Sequence, residues 1–226
     1  MDDYKSEKEQ WEDIKGLAKE YGAWIVAGVV IGLGALYGYR FWQARQDTHA
    51  LQAHQRYGEV LNDLYREKVD DAVKVIAELD ARYSGTPYAD QARLALARWY
   101  VEQGKMAEAT APLTKVMNDA GDKVLRMIAR LRLARVLAEQ HQLDDALRVL
   151  DQGGSSAFDP RYQEVRGDIL LAKGDRAGAL TAYRAAAASN VPGIVNDDLL
   201  RLKIADLADV APPAAETAAV TRDGAK

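Results

Sequence analysis

The sequence predicts an all-α protein in which one helix able to cross a membrane is followed by a domain of repeated helical hairpins. Residues Tyr21 to Tyr39 carry no charged side chain. Beyond them strand-type alternation is nearly absent, and amphipathic periods of about 12 to 18 residues alternate with short Gly-, Pro- or Asp-containing breaks. Within those periods one residue pattern returns at offsets of 37 and then 33 residues.

Ser6 to Glu20 is charged but helix-capable, with Trp11, Ile14, Leu17 and Ala18 on one face. It either lies on a membrane surface or leads into the apolar run. The run itself has nineteen residues, which at 1.5 Å per residue span about 28 Å, close to the hydrocarbon thickness of a bilayer. A buried helix of a soluble core rarely continues for five turns without a polar stripe. Tyr21 and Trp24 at one end, and Tyr37, Tyr39, Phe41 and Trp42 at the other, place amphipathic rings at both headgroup levels, with Arg40 and Arg45 beyond. Seven acids and four lysines precede the run and Tyr37-Gly38-Tyr39 is no cleavage site, so an uncleaved anchor is expected rather than a signal peptide. The flanking bases, Lys5, Lys8, Lys15 and Lys19 against Arg40, Arg45 and Arg56, are too evenly split to orient it.

Within the anchor, Gly28 and Gly32 form one small-xxx-small pair and Gly34 and Gly38 another. At 100° per residue the pairs lie about 120° apart on the helix. Either two helices are contacted or only one pair is a packing face.

From Arg40 to Glu67 a long helix is expected, with Leu51, Tyr57, Leu61, Leu64 and Tyr65 near helical spacing. Helices follow over Asp70 to Tyr83, Tyr88 to Gln103, Met106 to Asp119, Val124 to Gln140, Leu143 to Asp151, Arg161 to Lys173, Ala177 to Ser189 and Asp197 to Ala208. Connections of two to six residues make neighbours antiparallel. The last helix reads as a cap, and the Ala/Pro/Thr-rich tail from Ala211 to Lys226 as disordered. The expected division is residues 1–20 as a tail, 21–39 as the span, 40–209 as the repeat domain and 210–226 as the disordered end.

The repeat begins with Ala92 to Arg98, returns as Ala129 to Arg135, and returns again through Gly167, Leu170, Gly174-Asp175, Ala179 and Tyr183. Small residues recur at Ala97, Ala134 and Gly167 on first helices and at Ala109, Ala146 and Ala179 on second helices. Tyr100, Leu137 and Leu170, then Leu113, Leu150 and Tyr183, supply the bulk between them. A period of 33 to 37 residues with a small residue at each helix crossing resembles the tetratricopeptide repeat. Asp71 to Leu79, with Ala72 and Ile76 in register, forms a weaker unit ahead of three clear ones. A two-helix unit cannot bury its apolar face alone, so stacking must supply the core.

Composition removes several function classes. After residue 39 there are 27 acids and 26 bases, which leaves no electrostatic footprint for nucleic acid. The chain has no cysteine, so disulfides, thiolate chemistry and iron-sulfur clusters drop out. His49, His54 and His141 lack the spacing of a metal pair, no phosphate loop or nucleophile elbow is present, and Asp144-Asp145 suits a helix start. No enzyme, metal or cofactor is expected. What remains is binding. Stacked hairpins line their concave face with first helices, and in this register that face receives Gln91, Arg98, Arg132, Arg135, Glu164 and Asp168, either as a partner-binding groove or as ordinary solvated positions.

Taken together, Gly32-Leu-Gly-Ala-Leu-Tyr-Gly-Tyr-Arg-Phe-Trp42, Leu131-Arg-Leu-Ala-Arg135, Arg166-Gly167-Asp168 and Lys173-Gly174-Asp175 resemble the YfgM family, the ancillary SecYEG translocon subunit of proteobacterial inner membranes. The similarity runs from about Tyr4 to about Leu207. It implies a cytoplasmic N-terminus, one inner-membrane span and a periplasmic tetratricopeptide-like domain. It also implies association with the SecYEG translocon and with PpiD, a membrane-anchored periplasmic chaperone, and proximity to exported client chains. The competing expectation is a membrane-tethered scaffold or regulator that holds one dedicated partner, as in cell division or stress signalling.

Overall fold

A run without charges has no polar face to turn toward water, and helix is the conformation that satisfies its backbone internally. In the computed structural model, which describes residues 7–153, 158–188 and 193–208, the run lies within helix α1 (Glu7–Tyr65). The segments expected as Ser6 to Glu20, Tyr21 to Tyr39 and Arg40 onward share this one helix without a break. The expected tail from Ala211 onward and residues 154–157 of the Gly153-Gly154-Ser155-Ser156 linker lie outside the described residues.

Two compact units divide the chain, Met1–Gln55 and Arg56–Lys226. In the first, α1 contains the one described helix long and apolar enough to cross a membrane. Trp24, Ile31, Leu36, Tyr37 and Trp42 are all exposed. The aromatic exit is ordered around arginine: the Tyr39 and Trp42 rings are 6.3 Å apart, and the Arg45 guanidinium lies 4.9 Å from the centre of the Phe41 ring.

The second unit contains the end of α1 and eight further helices among the described residues. These are α2 (Val69–Arg82), α3 (Tyr88–Glu102), α4 (Met106–Asp119), α5 (Lys123–Glu139), α6 (Leu143–Asp151), α7 (Asp159–Ala172), α8 (Arg176–Ala187) and α9 (Asp197–Ala208). Helix starts follow local chemistry. Asp122 accepts from the Val124 N–H at 2.7 Å, Asp175 from Gly178 at 2.8 Å and Asn196 from Leu199 at 3.0 Å. Pro160 occupies the first turn of α7, where its missing N–H costs nothing.

The repeat is also written in the backbone. Glu67, Gly104, His141 and Gly174 all have positive φ, at 60°, 72°, 60° and 89°. At each, the next residue's N–H bonds back to a carbonyl five positions earlier: Lys68 to Asp63, Lys105 to Tyr100, Gln142 to Leu137 and Asp175 to Leu170, at 2.8 to 2.9 Å. Four hairpins therefore turn in the same way. The weak first unit is made by the end of α1 together with α2, where Val60, Leu64, Ala72, Ile76 and Leu79 are buried.

α3 packs on α4, α5 on α6 and α7 on α8, and the first helices α3, α5 and α7 neighbour one another in a row. The expected crossing residues lie where close approach demands them: Ala97, Ala134, Ala109, Ala146 and Ala179 are all buried, with Leu113, Leu150 and Tyr183 between them. α9 closes the stack by burying Leu200 and Leu207 against α8. Ion pairs join successive hairpins, Asp151 to Arg166 and Asp144 to Lys173. A further pair is deeper: the Arg93 guanidinium of α3, 6% exposed, binds Asp80 of α2 and, at 3.2 Å, Asp90 of its own helix.

Of the apolar series at the end of α1, Leu64 is buried, whereas Leu51, Leu61 and Tyr65 are exposed. Val60 is the core partner instead, four residues from Leu64 on the same face. Tyr57 stacks at 6.0 Å on Tyr88 of α3.

Candidate functional site

The row of first helices exposes a groove, and the end of α1 forms one of its walls. A cavity of about 650 Å³ is bounded by Tyr57, Leu61 and Tyr65 of α1, by Arg98 and Trp99 of α3 and by Arg132 of α5. A second cavity of about 380 Å³ shares Arg98, Glu102 and Arg132 with the first and adds Arg135, over an apolar floor that includes Val101, Leu113 and Val136. Helical geometry accounts for the arginines: 98 and 135 follow the small crossing residues 97 and 134 by one position, and 132 lies one turn before 135 on the same face, so they stand beside the helix contact.

Five of the six residues expected in the groove fall into two groups, and Gln91 lines the first cavity. Arg98, Arg132 and Arg135 cluster in the middle. Arg132 and Arg135 keep solvent access while protein surrounds them on several sides. That burial holds both guanidiniums below their usual range, with repulsion from Arg98 and Arg135 adding at Arg132 and repulsion from Arg161 adding at Arg135. Glu164 and Asp168 of α7 pull Arg135 the other way.

Those two acids are already engaged. Glu164 is only 5% exposed and pairs with Arg161 and, at 3.5 Å, with Lys203 of α9. Lys203 is 2.6 Å from Asp168, which also accepts the Tyr183 hydroxyl at 2.7 Å. The Lys203 ammonium stands 5.3 Å from the centre of the Tyr183 ring. Burial, with Asp168 and Glu164 adding, pushes the Tyr183 phenol well above its ordinary value. The two acids line neither of these cavities and form a closed network that fastens the cap helix, while the arginine cluster is open.

Sequence reasoning missed Tyr57, Leu61, Tyr65 and Trp99 as groove walls and Lys203 as the partner of the α7 acids. The recurrence of Tyr57, Leu61 and Tyr65 at i, i+4 and i+8 marks one helix face, and what that face meets depends on α3. In the anchor, a β-carbon placed at Gly28, Gly32, Gly34 or Gly38 would meet nothing within 4 Å. Among the described residues no group of three His, Cys, Asp or Glu side chains is placed to hold a metal ion.

A long apolar N-terminal helix with a stack of small-residue helical hairpins defines a membrane-anchorable tetratricopeptide-like protein. The family model described as a tetratricopeptide repeat-like domain matches residues 15–209. A protein of Escherichia coli (strain K12) named ancillary SecYEG translocon subunit is 32% identical, over 92% of this chain and 99% of its own length. A Haemophilus influenzae (strain Rd) protein of the same name is 31% identical, over 80% of this chain and 88% of its own. One from Neisseria gonorrhoeae (strain FA 1090) is 26% identical over 89% of this chain. No solved structure matches the chain. The chain belongs to the YfgM family of tetratricopeptide-like proteins, to which these ancillary translocon subunits belong.

Proposed function

We propose that this protein is an inner-membrane, protein-binding accessory of the Sec translocon that links the channel exit to periplasmic chaperones acting on exported proteins. Residues 1–20 lie in the cytoplasm, 21–39 span the membrane, and 40–209 form the periplasmic binding domain. The observation that carries this reading is the pairing of an apolar helix long enough to cross a membrane with a repeat domain bearing an open groove. The name shared by its relatives supports the translocon as the anchor's neighbour. Tethering raises the effective concentration of the groove beside emerging chains, so modest affinity suffices and no chemical step is needed. A PpiD-like membrane-anchored chaperone is the expected second partner.

Site-specific photocrosslinking in native membranes tests this, with the probe scanned through residues 26–38 and then placed at Arg98, Arg135 and Asp168. The expected products join the anchor to translocon or chaperone helices, and groove positions to a chaperone or an exported chain. Products confined to a second copy or to one regulator would overturn the reading in favour of a tethered scaffold.

A further inference from the structure

The groove changes character along its length. Its α1 end is aromatic and apolar, with Tyr65 88% and Leu61 41% exposed beside Trp99. Its middle holds three guanidiniums that are poorly neutralised. Among the described residues Arg98 pairs only with Glu102, one turn along its own helix, and both side chains are largely exposed. Arg132 donates a long 3.4 Å hydrogen bond to the Leu94 carbonyl. Arg135 forms no ion pair or hydrogen bond among the described residues. Mutual repulsion therefore raises the energy of the empty groove, and an entering carboxylate offsets it while giving the guanidiniums acceptors. Glu164 and Asp168, the acids of α7 that act on Arg135, cannot supply that relief fully because Lys203 and Arg161 hold them.

We propose that the groove docks a segment of a partner protein in which apolar or aromatic side chains are followed within a few residues by acidic ones. The apolar part lies against Tyr57, Leu61, Tyr65 and Trp99, and the carboxylates meet Arg98, Arg132 and Arg135. Arginine forks bind carboxylates in paired geometry, and a concave site between helices suits a peptide better than a membrane surface. The chain beyond residue 39 is nearly neutral overall, so the local cluster rather than a global field does the selecting. This specificity rests on the protein-binding reading above and adds the chemistry of the bound segment.

The test uses the full chain in lipid nanodiscs and a fluorescein-labelled twelve-residue peptide that carries leucine and phenylalanine followed by three glutamates. Matched peptides carry glutamine or lysine in place of glutamate, and binding is read by fluorescence anisotropy at low and physiological salt. The glutamate peptide is expected to bind about tenfold or more tightly than the glutamine peptide, with the gap narrowing as salt rises. In the variant with Arg132→Glu and Arg135→Glu the preference passes to the lysine peptide. Arg132→Gln with Arg135→Gln, a milder change, abolishes the preference without reversing it, and thermal unfolding checks that each variant folds. Equal binding of the glutamate and glutamine peptides, a glutamate preference that survives charge reversal, or no saturable binding of any peptide would overturn the proposal. So would displacement of the peptide by phosphatidylglycerol vesicles, which would assign the cluster to lipid. Anchor crosslinks to the translocon are scored in the same variants. If they persist while the peptide preference fails, only this inference falls; if they are absent, the translocon reading falls.

Discussion

The Tyr183 ring of α8 occupies the space that a side chain at residue 167 of α7 would fill, so Gly167 is the one first-helix crossing position where even a methyl group collides with an aromatic ring. Tyr183 cannot retreat, because Asp168 and Lys203 hold its hydroxyl and ring face. Gly167→Ala therefore gains about 1 kcal/mol of helix propensity but loses about 1 to 3 kcal/mol to overpacking, and a net loss in thermal or denaturant unfolding is expected. Gly58→Ala, in α1 with nothing within 4 Å of the added carbon, keeps only the gain and should raise stability by up to about 1 kcal/mol. Equal effects at the two sites would contradict the packing account.

The same tyrosine makes stability sensitive to alkali. Its folded-state pKa is raised, first by burial and then by Asp168, so the unfolded chain gives up the phenolic proton first. The stabilising contribution is complete below the ordinary tyrosine value of about 10 and is lost as pH climbs from there toward the folded value. Denaturant midpoints measured from pH 8 to 11 should fall more steeply in the native protein than in Tyr183→Phe. Tyr162, raised chiefly by burial, supplies a remaining slope in both.

His141 holds the left-handed turn conformation that Gly104 and Gly174 occupy in the neighbouring hairpins. A non-glycine residue there costs about 1 to 2 kcal/mol, part of which glycine returns through its looser unfolded state. His141→Gly should raise stability by about 0.5 to 1 kcal/mol, read as an upward shift of the unfolding midpoint, while His141→Val lowers it.

Arg93 joins α2 to α3 through Asp80 and Asp90 while almost wholly buried. Removing its charge strands Asp90, which is itself largely buried, so Arg93→Ala should cost about 2 to 4 kcal/mol. The double variant Arg93→Leu, Asp90→Leu removes both desolvated charges and should recover much of that loss. A separate double-mutant cycle between Arg93 and Asp80 that showed no coupling would refute the interhelical pairing.

Because a β-carbon at the anchor glycines would meet nothing within 4 Å among the described residues, Gly32→Leu should leave the unfolding of the repeat domain unchanged. Any loss of crosslinking from residues 26–38 then reports a partner helix excluded by the added bulk. Comparing Gly32→Leu with Gly34→Leu assigns the working pair, since the two lie on different faces.

Much of the fold was legible because its determinants are local. Helix bounds at Met106 and Asp119, or at Leu143 and Asp151, coincide with the sequence reading since caps and breakers act within a turn or two. Ala97, Ala134 and Gly167 could be assigned to crossings because the repeat aligned them. The first unit was read only weakly: its turn residue is Glu67, with no glycine to mark it, and its first helix is hidden inside the continuous α1. The candidate groove was legible in part. Its arginines follow from the register within each first helix, but Tyr57, Leu61, Tyr65 and Trp99 become walls only when α1 and α3 are side by side.

By itself the sequence determined the apolar helix, the succession of hairpins, the small residues at their crossings and the row of side chains on the first helices. All of these depend on periodicity and on contacts a few residues apart. The tertiary structure alone decided which charges are tied across the stack. Lys203 lies 39 and 35 residues from Glu164 and Asp168 across the α7 to α9 stack, yet it pairs with both, whereas Arg98, Arg132 and Arg135 are left facing an open groove. Charge pairing is set by distances of a few ångströms, and in a stacked fold those distances come from how the helices pack.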